Sequence, residues 1–170
     1  MPSRTARAAT AAAITTATLL QEPPRLAVLI DAENARAAQM EQVMARAVRY
    51  GRPTVRRAYG DWTTTQLTPW KKVLQVHAIR PCQQFHHKRS SKNAADITLV
   101  MDAMELLHAR CVDAFCLVSS DSDFTGLAGR IQEAGLRVYG FGQRETAAVF
   151  VAACDVFCFL DAAPSHEAPG

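Results

Sequence analysis

Apolar residues fall in short continuous blocks along this chain, each stopped by polar or turn-forming residues. They mark strands over residues 26–31, 54–59, 77–85, 112–119, 136–142 and 156–160, and the first up to Ile30, together with Phe115 to Val118, is apolar without a break. Blocks that are apolar throughout, rather than alternating, are what parallel strands covered on both faces show. Between them the spacing turns helical. It predicts a helix over 35–50 with Met40, Val43, Met44, Ala47 and Val48 facing inward, and a short one over 69–76 carrying Trp70, Val73 and Leu74. A third, over 94–109, has Ile97, Val100, Met101, Met104 and Leu107 on one side. Two more follow over 123–134 and 145–153. Gly51-Arg52-Pro53 stops the first helix and Gly135 occupies a C-terminal capping position. Pro81 restricts the third strand to an edge or a bulge. Strands alternating with helices predict an α/β fold: a three-layer α/β/α sandwich around a mostly parallel, doubly wound sheet with right-handed crossovers.

The fourth strand organises the rest. Phe115 to Val118 is apolar, and then Ser119, Ser120, Asp121, Ser122 and Asp123 follow just where a helix begins. The first strand ends in the same way, at Asp31. In open α/β sheets ligands bind outside the strand C-termini, at the point where strand order reverses, and strands one and four are commonly neighbours there. Asp31 and Asp121 are then expected to face each other across one crevice. Asp96, in the first turn of the helix before strand four, can lean over the same edge.

Such acids cannot all stay charged unaided. Two unit charges about 4 Å apart repel by roughly 4 kcal/mol at an effective dielectric of about 20. Either one carboxyl holds a proton or a cation neutralises them. An all-oxygen ligand set suits Mg²⁺ or Mn²⁺, which take up substrate phosphate and lower the pKa of a bound water. Each Asp singly is as well explained as a helix N-cap, but Asp121 followed by Asp123 exceeds what one cap needs. Asn34, one turn beyond Asp31, can bond a metal water or a phosphate, or cap its helix. Asp102 lies about 240° around the helix from Asp96 and is read as solvated or as a supporting partner. Asp155 is read as a turn or cap residue, and His86 and His87 as solvated loop residues.

Composition sharpens the substrate class. The 170 residues are 49% hydrophobic and 21% charged, as one globular domain requires, with a net charge of only +3. The distribution matters more. Arg49, Arg52, Arg56 and Arg57 form one basic cluster. Lys71, Lys72, Arg80, His86, His87, Lys88, Arg89 and Lys92 form another, with no acid from Lys71 to Ala95. Basic surface around acidic strand ends suits a polyanion; an ordinary solvated surface explains the charge equally well. Lys92, Arg89, Lys88 and Arg57 are candidate phosphate contacts, and Trp62 a candidate surface for stacking a base.

Residues 1–25 are Ala/Thr-rich and read as an N-terminal tail, residues 26–160 as the domain, and 161–170 as a Pro/Ala/Gly-rich C-terminal tail. The first segment loosely resembles a transit peptide, so organelle targeting stays open. Five cysteines without a CxxC pair suit a reduced, cytoplasmic setting better than a disulfide framework. No apolar run has the length of a membrane span. Exposed apolar residues on the later helices leave room for a homodimer.

At these residues the chain resembles an NYN domain, the PIN-like nuclease group that includes the LabA/DUF88 proteins. The resemblance spans about residues 26–160. Asp31-Ala32-Glu33-Asn34 matches the family's D-x-x-N, Lys92 to Asp96 its Lys-to-Asp segment, and Ser119 to Phe124 its S-G-D-S-D-F signature. Ser120 stands where the family usually has Gly, and its Cβ bears on backbone approach to a phosphate. The resemblance implies a PIN-like sandwich and a metal-dependent ribonuclease; the oxygen donors suit Mg²⁺ or Mn²⁺, and the two basic clusters would guide single-stranded RNA. It implies Asp31, Asp96 and Asp121 as catalytic, metal-binding acids, Asp123 as a fourth, and Asn34, Ser119 and Ser120 in support. Two other readings stand beside it. One is a non-catalytic RNA-binding or assembly module on the same scaffold. The other is a haloacid-dehalogenase-like phosphatase, whose chemistry wants a second Asp where this chain has Glu33.

Overall fold

A computed structural model describes residues 21–85 and 94–160. Six parallel strands form one sheet: β1 (Arg25–Asp31), β2 (Arg52–Gly60), β3 (Arg80–Gln83), β4 (Ala114–Val118), β5 (Arg137–Gly142) and β6 (Val156–Phe159). Five α-helices connect them: α1 (Met40–Ala47), α2 (Trp70–Val76), α3 (Ala94–Ala109), α4 (Thr125–Glu133) and α5 (Ala148–Ala153). The strand order is β3-β2-β1-β4-β5-β6, so the chain winds outward to β3 and returns to place β4 beside β1. That reversal is the switch point anticipated for strands one and four.

The apolar blocks are explained by cover on both faces. Along β1, Leu26, Val28 and Ile30 pack into one core with Met40, Val43, Met44 and Ala47 of α1 and Trp70 of α2. The alternate residues Ala27 and Leu29 pack into a second core with Leu99, Ala103 and Leu106 of α3, and with Leu127, Ala128 and Ile131 of α4. Burying each large side chain in these layers contributes about 1.5–3 kcal/mol. The three-layer sandwich follows.

Several elements differ from the expectation. The first helix does not run over 35–50. The Asp31 carbonyl accepts both the Asn34 and Ala35 amides, and Arg36 is extended, so regular helix starts only with the 3₁₀ turn Ala37–Gln39. Val48, expected inside, lies past the end of α1 and is exposed. The third strand shrinks to four residues because Ala78 adopts φ +50 at the end of the preceding turn. It lies at the sheet edge, where Pro81 is tolerated.

On α3 the inward stripe is Asp96, Leu99, Ala103 and Leu106, whereas Ile97 and Met101, expected inside, are 56% and 65% exposed. This helix is apolar nearly all round, so spacing alone did not select a face. Its inward stripe begins with a carboxylate. Gly135, at φ +85, caps the turn after α4 as expected.

Candidate metal centre

The site is built where β1 and β4 end side by side. Ile30 pairs with Val118 in register, so Asp31 and Ser119 leave adjacent strands together. Asp31 is 1% exposed and Ser119 is 2% exposed. The Ser119 hydroxyl donates to Asp31 Oδ2 at 2.9 Å, and the Asn34 side-chain amide donates to the same oxygen at 2.6 Å. Asp31 Oδ1 is buried and has no hydrogen-bond partner among the described residues. An orphaned acceptor on a buried carboxylate is costly, about 1–3 kcal/mol or more for a charged group. A cation is the partner that such an oxygen suits.

The turn after β4 supplies the second acid. The Asp121 amide donates to Ser119 Oγ at 3.0 Å, so one hydroxyl ties Asp121 to Asp31. Asp121 Oδ1 accepts the Asp123 amide at 2.9 Å and thereby caps the 3₁₀ turn Ser122–Phe124 that leads into α4. The residue that caps is therefore Asp121, not Asp123. Capping uses only one of its oxygens, and the other stays available.

Asp96 completes the group from the first turn of α3, at 9% exposure. One carboxylate oxygen from each of Asp31, Asp96 and Asp121 lies within 4.8 Å of the other two. At that separation each charged pair repels by roughly 3.5 kcal/mol at an effective dielectric of about 20. The titration of the acids reflects the crowding. Burial pushes the Asp31 carboxyl up, and the Asp121 charge adds to this against the stabilising bonds from Asn34 and Ser119. Asp96 is pushed up to about 7, first by burial and then by the charges of Asp31, Asp121 and Asp123. Hydrogen bonding toward Asp121 adds to the same shift. Three convergent carboxylates with one orphaned oxygen fit a hard divalent cation, whose ligands are oxygens.

The other sequence candidates divide. Asp123 is exposed and stands outside the group of three, acting on Asp96 through its charge. Asn34 orients Asp31 rather than capping a helix. Ser120 Oγ accepts the Gln143 amide at 2.8 Å, so its side chain fastens the loop after β5.

Asp102 accepts from the buried Tyr59 hydroxyl at 2.8 Å and from Arg57 at 3.2 Å, a partner to the sheet rather than a solvated group. Asp155, expected to serve a turn or cap, instead accepts the Val138 amide of the neighbouring strand β5. Trp62 is half-buried, packs its edge on Trp70 and donates its indole N–H to the Cys82 carbonyl. Lys88, Arg89, Lys92, His86 and His87 lie outside the described residues.

Two residues were missed. Asp61 is buried, accepting from Thr63 and Gln83, and its amide donates to Glu33, which ties the loops after β1 and β2 together. Gln143 joins a side-chain amide pair with Gln39. Gln143 carries no sequence signal, because its partner lies in a distant 3₁₀ turn, whereas Asp61 carries a local one in the turn it makes with Thr63.

The family model for the NYN domain matches residues 25–161. No curated protein matches the chain. Among solved structures, the crystal structure of a protein of unknown function from Vibrio parahaemolyticus superposes with a TM-score of 0.68 at 22% identity. The match covers 83% of this chain and 95% of that one, and it bears on the fold. Among the described residues, no helix is long and apolar enough to cross a membrane.

Proposed function

This chain belongs to the NYN domain family, part of the PIN-like nuclease superfamily, and from that premise we propose that it is a divalent-metal-dependent ribonuclease. The observation that carries the reading is the convergence of Asp31, Asp96 and Asp121 around the orphaned Asp31 oxygen. Those three residues would hold the ion, Mg²⁺ or Mn²⁺ by the chemistry of the donor set. When bound it would neutralise charge developing on the phosphoryl oxygens and lower the pKa of a water.

The chain's own residues do the rest. Ser119 and Asn34 lock the Asp31 carboxylate in one orientation, and the capped turn fixes Asp121. Asp96, near neutrality, can take a proton when no cation is present and so limits the repulsion among the three. The acids gather at the carboxyl ends of β1 and β4, where Asp121 is the partly exposed member of the three and the one an RNA strand's phosphate can approach. Hydrolysis adds the water oxygen to phosphorus and the proton to the departing 3′ oxygen, leaving a 5′-phosphate and a 3′-hydroxyl.

Glu33, which would have to serve as the second acid of a haloacid-dehalogenase-like phosphatase, instead accepts the Asp61 amide at 3.2 Å. That geometry disfavours the phosphatase. The test is Asp121→Asn on labelled single-stranded RNA with Mn²⁺. Cleavage is expected to vanish while the circular dichroism spectrum and RNA binding persist. A variant that cleaves as fast as the parent overturns the assignment. A parent that binds RNA with or without chelator and never cleaves it supports the binding-module reading instead.

A further inference from the structure

Away from the acids, where β2 meets the edge strand β3, a groove of about 380 Å³ is lined by Arg56, Arg57, Arg80 and Thr54, with no acid in its wall. Arg57 and Arg80 are register partners on neighbouring parallel strands, so their side chains stand side by side. One carboxylate, Asp102, offsets Arg57 from α3. The Arg56 guanidinium donates to the Pro53 and His77 carbonyls at 3.1 and 2.9 Å, which leaves three of its five N–H donors. Arg80 is exposed and its side chain makes no hydrogen bond or ion pair among the described residues. By strand alternation Arg56 turns to the opposite face from Arg57 and Arg80, so the paired charges are Arg57 and Arg80, and Arg80 is the one with its donors unengaged. Arginine forks match phosphate oxygens in geometry and charge.

We propose that this groove is a second subsite that takes a backbone phosphate of the RNA strand whose cleavage is assigned above to the acids; it rests on that reading. Its position fits. Asp102, which touches Arg57, and Asp96, in the acid group, lie six residues apart on α3, about 9 Å along the helix. Arg57 itself lies two residues short of the level of Asp31, and the lining runs on toward the amino ends of the strands, so the groove serves a nucleotide further along the RNA strand than the one at the acids. Arg80 is the contact to test, because Arg57 also supports the fold through Asp102.

The experiment compares the full chain, Arg80→Ala and Arg130→Ala. Arg130 is an exposed arginine on α4, far from β3 in the sheet order, and its removal makes the same charge change. Binding of a labelled oligouridylate is followed by anisotropy in chelator across a salt series. Cleavage with Mn²⁺ is measured on the same oligonucleotide and on a dinucleotide.

Arg80→Ala should lose about fivefold in affinity, the size of one exposed charge contact, and about 0.7 from the log–log salt slope. Arg130→Ala should change neither. KM for the oligonucleotide should rise with kcat held, and dinucleotide cleavage should be untouched. An unchanged Arg80→Ala on a parent that binds and cleaves overturns the groove alone, as does an equal loss in both variants. A parent that does not bind the oligonucleotide at all overturns the groove together with the RNA reading.

Discussion

Replacing Asp96 by Asn should make the metal-free chain more stable and the metal-loaded chain less so. Asp96 is pushed up to about 7 by burial and by the neighbouring acids. Relative to an ordinary carboxyl near 4, that corresponds to a ceiling of about 4 kcal/mol for ionising it in the folded chain. The group sits beside half-buried Asp121, through which solvent reaches the cluster, so screening lowers the expected effect to about 1–2 kcal/mol.

The sign is set by the direction of the shift. A carboxyl with a folded pKa above its unfolded value leaves stability intact below pH ~4 and removes it as pH rises through about 7. Asn resembles the neutral form at every pH. In chelator at pH 8, Asp96→Asn should therefore melt about 3–6 °C above the parent, and the gap should close toward pH 5. Mn²⁺ at a hundredfold excess over its Kd should raise the parent by about 2.7 kcal/mol and leave the variant unmoved, which inverts their order. Scanning calorimetry at both pH values, with and without Mn²⁺, reads all four numbers. A variant no more stable than the parent in chelator at pH 8, or a gap independent of pH, would refute the crowding of the acids.

Two further substitutions probe the supports of the site. Ser119→Ala removes the hydroxyl that bonds Asp31 and Asp121 together, so it should cost about 1–2 kcal/mol of stability and about 10–100-fold in Mn²⁺ affinity by calorimetric titration. Ser120→Gly restores the residue usual in the family but removes the acceptor for the Gln143 amide. It should lower the urea midpoint by an amount equivalent to about 1 kcal/mol while leaving Mn²⁺-dependent cleavage within a few-fold of the parent.

What could be read from the chain in advance follows from the range of the interactions involved. β1 and β4 are apolar on both faces and end abruptly in acids, so their burial and the placing of Asp31 and Asp121 are written locally. Asp96 was legible as the first turn of a strong helix. Its inward orientation was not, because Ile97 and Met101 offer an equally apolar face and only packing on the sheet decides between them. Which of the two acids caps the following turn was not legible either. Asp121 and Asp123 both suit the role, and the choice depends on the extended backbone of Asp121, at φ −82 and ψ 122. The Tyr59–Asp102–Arg57 contact joins residues more than forty positions apart, and no spacing rule reaches it.

The central claim is that Asp31, Asp96 and Asp121 hold one divalent ion between them. Crystals soaked in Mn²⁺ and measured at the manganese absorption edge test it directly. The account predicts an anomalous peak bounded by the three carboxylates, with Asp31 Oδ1 among its ligands, and loss of that peak in Asp121→Asn. Full Mn²⁺ occupancy elsewhere with this crevice empty would contradict it.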